Sequence, residues 1–243
     1  MFIIFFNKLK YFRIIFFILY ILLISGNVYS LSPVTLLQGR ITDKATGQPV
    51  RASIKFYSLS GKQADSKSST EGTYQQVLTP GETYFVVFKD YFPFDKSFKL
   101  SLPESSTYNE LSRDFTVVKL SEGMELYKFN AFDANSSKLS EQAISKFKEL
   151  KYFLEFNSKV NLKITLSSAD SKQKNTSKKS RSQSIFSDIT KSRIESISQY
   201  FASNGIPLAH QTFEESKKSF DVSKSKDKKK INVIISVGRI LDL

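Results

Sequence analysis

The chain contains no cysteine and no tryptophan, and its only histidine is His210. The absence of cysteine excludes disulfide bonds, thiol catalysis, thiolate metal sites and an N-terminal lipid attached to cysteine. A single histidine also excludes paired-histidine chemistry and histidine-rich metal sites. The sequence has neither a Gly-x-Ser-x-Gly motif nor a nucleotide-binding glycine loop. We therefore expect a protein that is not an enzyme and that uses no cofactor and no metal.

Long apolar runs are also scarce, and the longest lies near the N-terminus. Three basic residues within 8–13 precede an apolar run over residues 14–24. That run is shorter than the roughly 20 residues of a membrane-spanning helix and fits the core of a secretory signal. Val28 and Ser30 suit cleavage after Ser30, whereas the extra apolar residues 2–6 favour an uncleaved anchor. Both alternatives place the remaining chain outside the cytoplasm, so we predict export.

Positive charge is in excess, because the formal net charge is +13. In an exported protein this charge favours anionic partners, such as cell-wall polymer or lipid head groups, over nucleic acid. The lysine-rich stretches at residues 172–181 and 217–230 are either solvated faces or contacts for an anionic polymer or lipid.

The first half of the chain has the pattern of β-structure. Over residues 36–120, short apolar runs are separated by turn signals that include Gly47 and Gly81. Residues 52–56 alternate apolar and polar side chains, as in a half-buried strand. Turn signals about 10 residues apart predict a small antiparallel β-sandwich over residues 31–120.

The second half alternates strands with helices. An apolar stripe at helical spacing predicts a first helix, capped by Asn135 or Ser136, through Leu139, Ala143, Phe147, Leu150 and Leu154. A second helix is predicted from Asp188 to Asn204, with strands at residues 126–129, 160–166 and 231–237. We therefore predict two domains, an all-β sandwich followed by an α/β sandwich of β-α-β-α-β order over residues 121–243. A Ser/Lys-rich loop is expected at residues 171–187.

Both halves resemble known families. Gly39-x-Ile41-x-Asp43 and Gly72-x-Tyr74 are similar to the carboxypeptidase-regulatory-like β-sandwich, a family of non-catalytic modules. Residues 125–237 resemble the OmpA-like C-terminal domain, most specifically from Ile189 to Arg193 and at Gly205-Ile206. The second resemblance implies non-covalent binding of peptidoglycan, the cell-wall polymer whose peptide stem carries diaminopimelate.

The OmpA-like resemblance also implies a ligand clamp. Asp170 is expected to accept the ammonium of diaminopimelate and Arg193 to hold its carboxylate, with Lys229 and Lys230 in support. An arginine fork suits a carboxylate because its geometry allows two parallel hydrogen bonds. The family's Gly-His-Thr before the aspartate is replaced here by residues 167–169, Ser-Ser-Ala. The alternative is that Asp170 and Arg193 are ordinary surface residues or a structural ion pair.

Two functions follow as hypotheses. The first is a non-catalytic envelope protein of the periplasm, associated with the cell wall or outer membrane, that binds peptidoglycan. The second is a periplasmic protein–protein interaction or assembly component with a degenerate ligand pocket. In that case the β-sandwich or the basic loop binds another envelope protein. We expect no nucleic-acid partner and no membrane-spanning barrel.

Overall fold

A computed structural model describes residues 16–17, 32–167, 187–217, 220 and 231–241. Several predictions concern residues outside these ranges: cleavage after Ser30, the loop residues 171–186, and the site residues Asp170, Lys229 and Lys230. The chain divides into Met1–Pro33 and a compact unit, Val34–Leu243. Within the described ranges, no helix has the length and apolar character needed to cross a membrane.

The first sheet contains nine strands. They are β1 (Thr35–Asp43), β2 (Ser53–Ser58), β3 (Gln63–Lys67), β4 (Thr73–Leu78), β5 (Thr83–Phe88), β6 (Tyr91–Pro93), β7 (Lys99–Ser101), β8 (Asn109–Ser112) and β9 (Phe115–Lys119). The strand order is β3-β2-β5-β6-β9-β1-β4, with β7 beside β5 and β8 beside β1. Residues 35–40 of β1 pair with β4, whereas residues 41–43 pair with β9. Strand β1 therefore belongs to both layers of a sandwich.

The interior of this sandwich follows from period-two alternation along the strands. Leu37 and Ile41 of β1 are buried, as are Tyr74 and Leu78 of β4. The intervening Gln75 faces outward. The β-sandwich predicted over residues 31–120 agrees with this arrangement.

The second sheet contains four strands and is accompanied by two helices. The elements are β10 (Glu125–Phe129), α1 (Glu141–Phe156), β11 (Val160–Ser167), α2 (Asp188–Ser203), a short 3-10 helix (Leu208–His210), β12 (Gln211–Ser216) and β13 (Val233–Ile240). The strand order is β10-β13-β11-β12, and only β11 and β12 run parallel.

The helix ends differ in detail from the prediction. The N-cap of α1 is Ser140, whose side chain accepts a hydrogen bond from the Ala143 N–H, so the predicted caps Asn135 and Ser136 are wrong. Asn135 instead takes a positive φ of 57° in the preceding turn, which is incompatible with a helix start. Helix α2 starts at Asp188, but its N-cap is the residue before, Ser187.

Strand β5 is buried on both faces and joins the two halves of the unit. Tyr84, Val86 and Phe88 lie in the sandwich core. Phe85 and Val87 belong instead to the core that contains α1 and the second sheet. A strand covered on both faces has apolar side chains at consecutive positions, as this one does.

The α1 helix is fixed to the first sheet by rings and by hydrogen bonds. The ring of Tyr152 lies 4.7 Å from that of Tyr57 and 5.0 Å from that of Phe85, measured between centroids. The Asn157 side chain donates to the Phe88 carbonyl at 3.1 Å and accepts from the Asp90 N–H at 2.8 Å. One continuous hydrophobic core therefore includes side chains from both sheets.

This shared core corrects the predicted fold class. The described residues form a mostly β protein with thirteen strands in two sheets and two helices. No separate α/β sandwich domain follows the β-sandwich, so that prediction and the OmpA-like resemblance are wrong. The residues quoted for the resemblance, Ile189 to Arg193 and Gly205, encode an amphipathic helix and its stop, and such a signal is not specific to one fold.

Replacing Asn157 by alanine is expected to lower the free energy of unfolding by about 2–3 kcal/mol, because buried backbone groups lose their partners. Asn204 is the matched control, since it also follows the last residue of a helix and its side chain donates to the Tyr200 carbonyl, but it is exposed. Asn204→Ala should cost less than about 1 kcal/mol. Urea unfolding measures the free energy of unfolding of both variants. An equal loss of stability in the two would argue against a special role for Asn157.

Candidate functional site

Arg193, the described member of the predicted clamp, is buried in α2 with 1% of its surface exposed. Its Nε donates to the Ser136 carbonyl at 2.9 Å, and its Nη2 donates to the Asp133 carbonyl at 3.2 Å. Its Nη1 donates to the Ser167 carbonyl at 3.4 Å. The guanidinium also lies 5.1 Å from the centroid of the Phe132 ring. Arg193 therefore ties α2 to the end of β11 and to the segment before α1.

Two other polar side chains organise the same end of the second sheet. Glu215 of β12 accepts hydrogen bonds from the Ser187 N–H at 3.0 Å and from the Thr190 hydroxyl at 2.7 Å. A carboxylate at this place also complements the positive end of the α2 dipole. Asn232 donates to the Phe132 carbonyl at 2.6 Å and accepts from the Ala131 N–H at 2.8 Å.

Arg193 has a structural role within the described residues. Three of its N–H groups donate to backbone carbonyl oxygens, two in the segment before α1 and one at the end of β11. The pairing of Asp170 with Arg193, and the support from Lys229 and Lys230, stay predictions because those three partners lie outside the described residues.

A buried acid, Glu149 of α1, also has a structural explanation. It accepts a hydrogen bond from the Tyr127 hydroxyl at 2.6 Å and pairs with Lys146 at 2.9 Å. Burial and the neighbouring Glu149 carboxylate raise the pKa of Tyr127 far above its usual range, so the phenol stays a donor. In the described part of the chain, no group of three or more His, Asp or Glu side chains could hold a metal ion.

A groove with a volume of about 950 Å³ lies on the outer face of the first sheet. Its floor is built by register. Gln38 of β1 pairs with Gln75 of β4 on one side and with Ser112 of β8 on the other. Two residues further along β1, Arg40 pairs with Thr73. Because side chains two residues apart share a face, these groups form one polar surface, named here the β1 groove.

Positive charge is concentrated in the β1 groove. Arg40, Arg51 and Lys67 line it and are exposed, and Asp114 is the one acidic residue of the lining. Asp114 accepts a hydrogen bond from the backbone N–H of Arg40 at 2.7 Å. Among the described residues, no carboxylate lies within ion-pair distance of the three cations. The three side chains are therefore available to an anionic ligand.

Buried hydrogen bonds hold the wall of the β1 groove. The Ser68 hydroxyl donates to the Val50 carbonyl at 2.7 Å and accepts from the Ala52 N–H at 2.8 Å. This pair of bonds fixes the turn between β3 and β4 next to the segment that carries Arg51. Gly72 completes the turn with a φ of 75°, and a Cβ there would lie 2.5 Å from the Ile41 carbonyl oxygen. These contacts within the protein therefore hold the turn between β3 and β4 in its conformation without a ligand.

Sequence reasoning missed the β1 groove, and the reason is physical. Gln38, Arg40, Thr73 and Gln75 look like the polar outward face of any half-buried strand. Only the strand order β8-β1-β4 places them side by side. Strand β8, which supplies Ser112, gave no strand signal because its residues do not alternate clearly.

No protein-family model matches the chain. No curated protein matches it either. A putative carbohydrate binding protein from Bacteroides uniformis ATCC 8492 is 20% identical over 35% of this chain and 41% of that chain, with a TM-score of 0.27. A DUF3823 family protein from Parabacteroides merdae ATCC 43184 is 15% identical over 41% of this chain and 53% of that chain, with a TM-score of 0.27. The shaft pilin spaA from Lactobacillus rhamnosus GG is 10% identical over 56% of this chain and 54% of that chain, also with a TM-score of 0.27.

The chain spans about half the length of these solved structures, and likenesses of this size carry no functional argument. Export of the chain is predicted from residues 8–30 alone. Neither the OmpA-like nor the carboxypeptidase-regulatory-like resemblance is upheld, because no family model matches and the fold is mostly β. Peptidoglycan binding loses its basis with the OmpA-like resemblance.

Proposed function

We propose that the protein is a non-catalytic, exported binding protein that holds an anionic polymer of the cell envelope in the β1 groove. The proposed compartment is the periplasm. One observation carries the proposal: Arg40, Arg51 and Lys67 line a single open groove in which Asp114 is the only acidic side chain among the described residues.

The chemistry of these cations favours anionic groups. Arginine forms bidentate hydrogen bonds with carboxylates and phosphates, and these charge-assisted bonds are about twice as strong as neutral ones. Three cations on one surface also add their fields, which attracts a polyanion more than isolated charges do. The volume of the groove, about 950 Å³, lies at the upper end of ordinary ligand sites, and the open shape admits a chain longer than the groove.

A triple substitution, Arg40→Gln with Arg51→Gln and Lys67→Gln, is expected to weaken binding of the full chain to polygalacturonate by at least about tenfold. The matched control replaces three exposed cations outside the groove, Lys99, Lys119 and Arg239, by glutamine. Both triple variants have the same net charge, and the control should change the affinity by less than about threefold.

Isothermal titration calorimetry at two salt concentrations measures this difference. Equal loss of affinity in the two triple variants would show that net charge alone attracts the polymer, and it would overturn the proposal. Binding of another envelope protein through the β-sandwich or the basic loop stays a prediction.

A further inference from the structure

We infer that the polymer in the β1 groove is an anionic polysaccharide, a chain of sugars with carboxylate or phosphate groups, and not an acidic peptide or a nucleic acid. This inference rests on the proposed function and adds the chemical class of the ligand. It is carried by the neutral side chains that lie beside the cations.

The floor of the groove can both donate and accept hydrogen bonds. Gln38, Gln75 and Ser112 form one row across three adjacent strands, and Gln75 donates to Gln38 at 3.3 Å. With neighbouring strands about 4.8 Å apart, the row extends over roughly 10 Å. Amides and hydroxyls offer donors and acceptors together, as sugar hydroxyls do, whereas a guanidinium only donates. A carboxylate chain without hydroxyl groups would offer this row fewer hydrogen-bonding partners.

Charged and neutral groups are separated along the groove. Arg40 lies beside Thr73, at the end of the floor where the turn between β3 and β4 begins. Arg51 lies at the same end, because the N–H of the next residue is bonded to the Ser68 hydroxyl of that turn. The amide row of Gln38 lies one pair further along β1. A ligand that contacts both the arginine end and the amide row therefore has an anionic group at one end and hydroxyl groups next to it.

The groove lacks what a nucleic acid requires. Single strands bind by stacking bases on exposed aromatic rings. Among the described residues of the lining, the one aromatic is Tyr74, which is 3% exposed and whose ring centroid lies 5.7 Å from that of Phe115. Its hydroxyl donates to the Arg113 carbonyl at 2.6 Å, and burial raises its pKa above the usual range, so it stays a neutral donor.

An extended peptide is also a poor fit. Peptides that add to a sheet pair with an open strand edge through their backbone. The floor of the groove is instead the face of three paired strands, and β1, its central strand, is bonded on both sides. A peptide over this face would meet side chains only and could not add a strand to the sheet.

The test compares polymers by calorimetry with the full chain. Polygalacturonate and phosphorylated dextran are the anionic polysaccharides, poly-L-glutamate and oligothymidylate are the anionic peptide and nucleic acid, and unmodified dextran is the neutral control. At equal charge concentration, at least one anionic polysaccharide should bind about tenfold tighter than poly-L-glutamate and oligothymidylate, because only the anionic polysaccharides combine charge with hydroxyl groups on each sugar. Dextran should bind most weakly.

A double substitution, Gln38→Leu with Gln75→Leu, separates the inference from the proposed function. It should weaken polysaccharide binding by about tenfold and leave poly-L-glutamate binding unchanged, because two neutral hydrogen-bonding groups are lost but no charge is lost. Gln48→Leu with Gln63→Leu is the matched control, because both glutamines are exposed and lie outside the groove.

Each outcome decides one claim. Equal affinity for polygalacturonate, phosphorylated dextran and poly-L-glutamate, still dependent on Arg40, Arg51 and Lys67, would overturn the inference and leave the proposed function standing. If replacing those three cations left the affinity for every polymer unchanged, the proposed function would be overturned as well.

Discussion

Arg193→Met is expected to lower the free energy of unfolding by about 3–5 kcal/mol, the largest loss for any single polar side chain described here. The substitution removes the Arg193 hydrogen bonds to the carbonyls of Asp133, Ser136 and Ser167, and among the described residues the Asp133 carbonyl keeps only the Ser136 N–H at 3.1 Å. A buried acceptor that loses its partner costs about 1–3 kcal/mol, and Ser167 is buried. Methionine approximates the length of the aliphatic part of the arginine side chain, so the loss reports hydrogen bonds more than a cavity.

Two variants sharpen this measurement. Arg193→Lys keeps the charge but cannot reach three carbonyls from one planar group, so it should recover only a minor part of the loss. Lys191 lies on the exposed side of the same helix and pairs with Asp188 at 3.6 Å. Its replacement by methionine should change the unfolding free energy by less than about 1 kcal/mol. A near-wild-type midpoint for Arg193→Met in urea would refute the structural role of the guanidinium.

Phe153→Ala is expected to lower the free energy of unfolding by about 3–5 kcal/mol and to weaken both sheets together. Phe153 of α1 is 0% exposed. Its ring lies 5.5 Å from that of Phe92 and 6.1 Å from that of Phe98, both in the first half of the chain. Truncation therefore opens a cavity in the core that the two sheets share.

Hydrogen exchange distinguishes a shared core from two independent domains. With a shared core, amides of β5 and β11 should lose protection by similar factors in Phe153→Ala, because both strands open in the same unfolding event. Phe94 is the control, since it is 50% exposed and its replacement by alanine should cost less than about 1 kcal/mol. If β5 kept its wild-type protection while β11 lost it, the two halves would unfold separately. They would then be independent domains without a shared core.

Local periodicity explains which elements were predictable. Strands β2 and β11 lie close to the strands predicted at residues 52–56 and 160–166, because each has apolar side chains at regular intervals. Helix α2 was expected to end near Asn204, and Gly205 does take a positive φ of 71° there. Strand β3 has no strand signal in the sequence, since Gln63–Lys67 is polar apart from Ala64 and is held by pairing with β2.

The burial of β5 shows where the fold-class prediction went wrong. Thr83–Phe88 has five consecutive buried residues, a pattern that belongs to a strand covered on both faces. A free-standing sandwich would have left Phe85 and Val87 exposed to water. That signal was present in the sequence, and it indicated a second layer over the first sheet before any helix was placed.

The sequence by itself determined the absence of thiol chemistry, the excess of positive charge and most of the strands and helices, because composition and short-range periodicity are local properties. The tertiary structure alone decided that one core is shared through β5 and α1, that Arg193 donates to three backbone carbonyls, and that Gln38 lies between Gln75 and Ser112. Periodicity specifies which face of an element is buried, but not which distant element covers it. The groove depends on such long-range pairing, so its residues became a site only once the strands were in register.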